Sequence, residues 1–283
     1  MSIIKELQYK MFRSGSRLLL FIGINVLVFL IVNLLAIPEF LFTRTTSASD
    51  WLQEQLSIPA YLPALAFKPW TILTYMFSHK GLFHIFFNML WLYWMGRLFE
   101  EYLNKRQFTF TYFAGGLAGA LLFILFYNTF PAFSANVQSA SLIGASASVM
   151  GIVVATATLL PDYTIQLLLF GSVRLKYLAI VYVLLDIISI AGANAGGSIA
   201  HLGGAVLGYF YIVQLRKGND WSKIFMPKTR LKPISNESGK TNSNTSRFPD
   251  QNAIDLILDK ISKSGYESLT KEEKQKLFNA SKK

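Results

Sequence analysis

The run Ile199-Ala200-His201-Leu202-Gly203-Gly204-Ala205-Val206-Leu207-Gly208 places one imidazole and three glycines inside an apolar stretch that ends near Arg216. An ionisable group is costly in hydrocarbon, and glycines four apart let a second backbone come close. The run therefore reads as a tightly packed membrane helix with a reason to carry its histidine. The rest of the chain agrees: 283 residues, 52% hydrophobic and only 15% charged, with positive mean hydropathy, depart from the soluble average toward a membrane protein. There is no cysteine, which removes disulfides, thiolate metal ligands and cysteine nucleophiles. Chemistry is left to hydroxyls, imidazoles and carboxylates.

Six apolar stretches, 18–37, 82–102, 107–130, 146–160, 175–192 and 199–215, can cross about 30 Å of hydrocarbon at about 1.5 Å per residue with some tilt. The expected fold class is an all-α polytopic membrane protein, a six-helix transmembrane bundle spanning 18–216. Leu18 to Ile37 is followed by no small-residue cleavage pattern and reads as a retained first span. All but three of the 27 basic residues, Arg44, Lys68 and Lys80, fall on one side of these spans. The positive-inside rule then makes both termini cytoplasmic, as in a bacterial inner-membrane protein. The net charge of +11 is thereby explained by the lipid bilayer and calls for no nucleic acid.

Outside the spans, 1–17 forms a cytoplasmic N-terminal segment. The outer segment 38–81 carries Trp51, Phe67, Trp70 and Tyr75 and is expected to lie in the membrane interface. Residues 217–249, rich in Ser, Asn and Lys, read mostly as a flexible linker. In 250–283 a small cytoplasmic helical hairpin is expected. Ile254, Ile257, Leu258 and Ile261 have helical spacing, Asp250 is a possible N-cap, Gly265 breaks the pattern, and Thr270 with Glu273 opens a second helix carrying Leu277 and Phe278. The hairpin is too small to bury much core alone, so it is expected to dock on an unknown partner, a neighbouring copy or the membrane face.

Counting rise per residue from the cytoplasmic ends puts Ser146 and His201 both about 21 Å up, with His84 and Asn88 at about 24 and 18 Å. The i, i+4 spacing of His84 and Asn88 puts them on one helix face. Singly, each polar residue reads as interhelical glue or a satisfied core histidine. Four at one depth, flanked by Gly144 and Gly151 on one helix and by Gly204 and Gly208 on another, read as a site near the outer face. The glycines are expected to bring the helices close enough for a Ser–His hydrogen bond.

The same residues carry a family resemblance. His84-Ile85-Phe86-Phe87-Asn88 resembles the rhomboid HxxxN element, Gly144-Ala145-Ser146-Ala147 its GxSx nucleophile motif, and Gly196-Gly197-Ser198-Ile199-Ala200-His201-Leu202-Gly203-Gly204 its GxxxAHxxG helix. The likeness covers about 70–216, and three motifs in order are specific. It implies an intramembrane serine endopeptidase that cleaves single-span or polytopic membrane substrates. Ser146 and His201 would form a catalytic dyad without an acidic third member, with His84, Asn88 and the Ser146 amide as the oxyanion hole and no cofactor. Three positions depart from the family pattern. Ala147 follows the nucleophile where Gly is usual, Met150 stands where many bacterial members place an aromatic ring against the imidazole, and Trp70-Thr71 keeps only the Trp of a Trp-Arg pair.

Two other functions compete with this reading. A catalytically inactive rhomboid-like protein binding client helices usually lacks the nucleophile or base, and a transporter would show broken helices in matching repeats. Asp186 could be a missing triad member, but the depth count puts it about 6 Å below the site, so it reads as a structural residue. His79 reads as interfacial, Gly115 and Gly119 as packing, and Arg97, Glu100 and Glu101 as a boundary or loop anchor. No HExxH or other metal-ligand cluster is present in the sequence.

Overall fold

The computed structural model describes residues 16–167, 171–224 and 251–281. The chain divides into two compact units, Met1–Pro227 and Lys228–Lys283. The first is built from α1 (Arg17–Thr43), α2 (Ser47–Leu56), α3 (Leu62–Phe67), α4 (Thr71–Thr74), α5 (Leu82–Tyr102), α6 (Lys105–Thr129), α7 (Ser146–Leu159), α8 (Leu175–Ser189) and α9 (Ala195–Arg216). Two short antiparallel pairs join them. β1 (Ile58–Pro59) pairs with β2 (Ser141–Leu142), and β3 (Thr164–Leu167) with β4 (Gly171–Arg174). Helices α1, α6 and α9 are long and apolar enough to cross a membrane.

Helix α7 lies at the centre, with every residue from Ala147 to Ala157 buried against α5, α6 and α9. Apolar surface gains little from helix contact in lipid, so close approach of backbones has to supply the attraction. Glycine provides it. A methyl group on Gly204 would fall on the Ala147 carbonyl oxygen, and one on Gly208 on the Gly151 carbonyl oxygen. On the other face of α7, a Cβ at Gly151 would sit 3.2 Å from the Cα of Gly115. Arg216, in the last turn of α9, donates to the Thr158 and Leu159 carbonyls at 2.7 and 3.2 Å, satisfying acceptors that the end of α7 leaves open.

Three boundaries differ from the sequence reading by three residues or more, one of them the end of α8 at Ser189 where 192 was expected. The first span runs on through Pro38 to Thr43, so the outer segment starts later than residue 38; proline is tolerated in membrane helices where neighbours re-satisfy the freed backbone. The last helix starts at Ala195, before residue 199. Gly196 and Gly197 are poor helix formers, but a side chain on Gly196 would strike the Phe123 ring 2.9 Å away, so packing on α6 selects glycine within the helix.

Two polar networks join elements of the bundle. Asn25 of α1 donates to the Tyr112 hydroxyl at 3.1 Å, and Tyr112 donates to the Met76 carbonyl at 2.9 Å. At the opposite end Glu100 of α5 accepts from Ser16 Oγ at 2.7 Å and from the backbone N–H groups of Arg17 and Leu18 at 2.8 and 3.1 Å. The anchor expected at the end of α5 is thus an N-terminal cap for α1. Glu100→Ala should remove about 1–2 kcal/mol of stability, read as a lower thermal midpoint in detergent.

Of the aromatics named in 38–81, Trp51, Phe67 and Trp70 are exposed, whereas Tyr75 is fully buried and donates to the Gly116 carbonyl. Residues 217–224, read as the start of the linker, are held to the bundle. Asp220 accepts from Arg106 at 2.8 Å and from Ser222 Oγ at 2.6 Å, and Tyr211 donates to it. Most of the linker, the Asp250 cap and nearly all of the N-terminal segment lie outside the described residues.

The second unit holds α10 (Gln251–Ser264) and α11 (Lys271–Ser281). Gly265 separates them at φ 76°, a backbone value that favours glycine. Glu273 accepts from the Thr270 N–H at 2.8 Å while Thr270 Oγ1 accepts from the Glu273 N–H at 3.3 Å, a complete capping box. Ile257 and Leu269 are buried, but Leu258 and Phe278 are half exposed, so the apolar stripe is narrower than its spacing suggested.

Candidate active site

Ser146 is the first residue of α7, reached through a sharp turn at Gly144, whose φ of 124° is open to glycine and strained for other residues. The turn is clamped by the outer segment. The Gly144 N–H donates to the Tyr75 carbonyl at 2.9 Å, the Ala145 N–H points to His79 Nε2 at 3.4 Å, and the β1–β2 pair fixes Ser141 and Leu142 just upstream. As the first residue of a helix, Ser146 has a backbone N–H with no intrahelical acceptor, as do the two residues after it.

One cavity of about 690 Å³ is lined by Ser146, His201, His84 and Asn88, together with Lys80, Tyr127 and Tyr182. The structure thus brings the four sequence candidates to one space, from α5, α7 and α9, but among the described residues no hydrogen bond joins Ser146 to His201, so the direct Ser–His bond expected from the glycine packing is not formed. His84 is the nearer of the two side-chain donors to the nucleophile turn. Its Nε2 lies 2.8 Å from where a Gly144 Cβ would be, a point 3.7 Å from Ser146 Oγ. Asn88 gives one of its amide hydrogens to the His84 carbonyl at 2.8 Å and keeps the second. Gly151, Gly204 and Gly208 lie below, in the α7 contacts described above. The methyl of Ala147 is accommodated because Gly119, facing it, has no Cβ.

Sequence reasoning misplaced two residues around the cavity, Asp186 and His79, and missed a third, Tyr182. Asp186 of α8 was expected below the site, yet its Oδ1 is 2.8 Å from His201 Nδ1. Depth counted along straight helices fixes Cα levels only, and two side chains reaching toward each other across tilted helices close a gap of several ångströms. Tyr182, one turn before Asp186, lays its ring 21° from parallel to the His201 imidazole with centroids 6.4 Å apart. It fills the place of the aromatic that Met150, fully buried in the core, does not supply. The i, i+4 spacing of Tyr182 and Asp186 was the available signal. His79, expected at the interface, is 1% exposed and packs edge-on against His84 with centroids 4.9 Å apart.

Burial, and then the neighbouring His84, lower the His79 pKa to about 3. A histidine kept neutral in the fold protonates more easily unfolded. Its stabilising contribution is therefore complete above the usual value near 6.5 and is lost as pH falls from there toward 3. The thermal midpoint should drop across that window, and His79→Gln should remove part of the slope.

The fold and cavity define a membrane protein with a hydroxyl, three imidazoles and a carboxylate gathered at the head of a central helix. The chain belongs to the Rhomboid family, whose Rhomboid domain model matches residues 66–218. Residues 241–283 match a second model, a family of unknown function (DUF6576). The chain is 31% identical over 158 residues to the mitochondrial RHOMBOID-like protein 12 of Arabidopsis thaliana, covering 52% of this chain and 47% of that protein. It is 35% identical over 81 residues to the Inactive RHOMBOID-like protein 8 of the same plant, covering 29% of this chain and 23% of that one. The chain thus matches about half of the first relative's length and about a quarter of the second's.

Proposed function

We propose that the chain is an intramembrane serine endopeptidase that hydrolyses peptide bonds of transmembrane substrates near the outer face of the bilayer. The observation that carries this is the sharing of one cavity by Ser146, at a helix N-terminus, and His201, whose Nδ1 is engaged elsewhere and whose Nε2 is left for proton transfer. Ser146 Oγ attacks the scissile carbonyl as His201 Nε2 takes its proton. The oxyanion is met by the Ser146 N–H, His84 and Asn88, and His201 returns the proton to the leaving amine. Water then repeats the cycle on the acyl-enzyme.

In this reading six helices, α1 and α5 to α9, cross the bilayer. Helices α7 and α8 are short, with 14 and 15 residues, and an α7 that begins beneath the surface leaves Ser146 below the outer boundary, where water can enter. Both termini lie on the cytoplasmic side of a bacterial inner membrane, the side that collects the basic residues. The second reading, an inactive membrane protein binding client helices, is favoured by the relative named inactive; against it, this chain keeps both Ser146 and His201.

The test is covalent. A fluorophosphonate probe should lose fluoride and leave its phosphonyl group on Ser146 Oγ of the purified chain, located by mass spectrometry. An unlabelled Ser146, with the probe reactive toward a control hydrolase, sinks the protease reading.

A further inference from the structure

Helix α8 is the least embedded helix around the cavity. Its outer face exposes Tyr177, Ile180, Val181, Leu184 and Ile188, and only Leu175, Ala179 and Asp186 are buried. With Tyr182 these three form one inward stripe at helical spacing. A membrane helix lining its inner stripe with a carboxylic acid forgoes the easy packing of Leu or Ala, and such a group requires a partner. The partner is His201.

We propose that Asp186 is a positioning residue for His201, completing with Ser146 a three-membered hydrolytic arrangement; the inference rests on the Ser146–His201 chemistry proposed above. Three observations converge. Asp186 Oδ1 is 2.8 Å from His201 Nδ1, with both side chains largely enclosed. Tyr182 covers one face of the imidazole and is itself stacked 25° from parallel on Trp91, at 6.0 Å, so the ring that limits His201 rotation is held in turn. Among the described residues the second oxygen of Asp186 has no hydrogen-bond partner, so the carboxyl's one described bond is to the imidazole.

The chemistry follows from which atom carries the proton. An ionised Asp186 accepts from Nδ1–H, which leaves the Nε2 lone pair free to remove the Ser146 proton. When that proton arrives, the new imidazolium faces a carboxylate across the same bond, so the attraction is stronger in the transition state than in the resting site. A protonated Asp186 donating to Nδ1 would put the ring proton on Nε2 and leave no base. The arrangement is productive in one tautomer only, and the carboxylate selects it.

The chain has three histidines, so ¹⁵N-histidine spectra of the full-length protein in detergent can be assigned with His79→Gln and His84→Gln variants. The parent should carry the His201 proton on Nδ1. Asp186→Asn should lose that preference and slow fluorophosphonate labelling of Ser146 about 10²-fold or more at an unchanged thermal midpoint. Asp186→Glu, which keeps the carboxylate, should recover part of the rate and the Nδ1–H form.

The inference is overturned if Asp186→Asn labels at the parent rate or if the parent holds its proton on Nε2. It is equally overturned if both variants lose labelling only in step with stability, which is what interhelical glue predicts. A parent that takes no label overturns the protease reading and this inference with it, whereas a parent that labels as fast as Asp186→Asn overturns this inference alone.

Discussion

Ser146→Ala is expected to abolish covalent labelling and to lower peptide hydrolysis by about 10⁴-fold or more, because the hydroxyl at the head of α7 is gone while the fold is untouched. Ser146 is partly exposed to the cavity and no described hydrogen bond uses its hydroxyl to hold the structure. His201→Ala should cost a similar factor, since an unassisted serine alcohol is a poor nucleophile. It differs in one respect. Removing the imidazole strips Asp186 of its partner and leaves a buried carboxyl with no hydrogen bond, so the thermal midpoint should fall for His201→Ala and hold for Ser146→Ala. The double variant should be about as slow as either single one, as groups acting as a unit are not additive. Quantitative labelling alongside thermal unfolding checks all of this; retained labelling in Ser146→Ala would place the chemistry elsewhere.

Gly204→Val is expected to slow Ser146 labelling by about 10²-fold and to lower the thermal midpoint by several degrees. A Cβ there overlaps the Ala147 carbonyl oxygen, a main-chain atom of the central helix with nowhere to withdraw. Forced overpacking costs about 1–3 kcal/mol in general, and here α9 can escape only by moving off α7. His201, three residues before Gly204, moves with it. A displacement of about 1 Å at a reacting pair is enough for a loss of that size. Gly204→Ala should be intermediate in both measurements. A valine variant that labels and melts like the parent would mean that the α7–α9 contact does not set the Ser–His geometry.

The contrast between α8 and α9 shows what made some residues readable. On α9 the imidazole is embedded in glycines whose spacing has one physical use, so packing and chemistry were visible together. On α8 Asp186 stands among exposed aliphatics, and its i, i+4 spacing from Tyr182 marks a shared face without marking what that face meets. Helix tilt and side-chain reach decide that meeting, and neither has a trace in the local order of residues. Tyr182 was missed for the same reason, since it replaces from another helix the ring that the pattern led one to seek four residues after Ser146.

By itself the sequence determined the membrane class, through apolar runs that no aqueous fold would need. It also determined the site candidates on three helices, because polar residues in hydrocarbon are rare enough to be counted and placed by rise per residue. Only the tertiary structure decided which carboxylate and ring hold His201, that His79 is buried behind His84, that Glu100 caps α1, and that Tyr75 belongs to the core. Each of these depends on contacts between residues distant in the chain, set by helix tilt, rotation and the close approach that glycine permits. Linear spacing records height along one helix and carries no information about the azimuth of its neighbour.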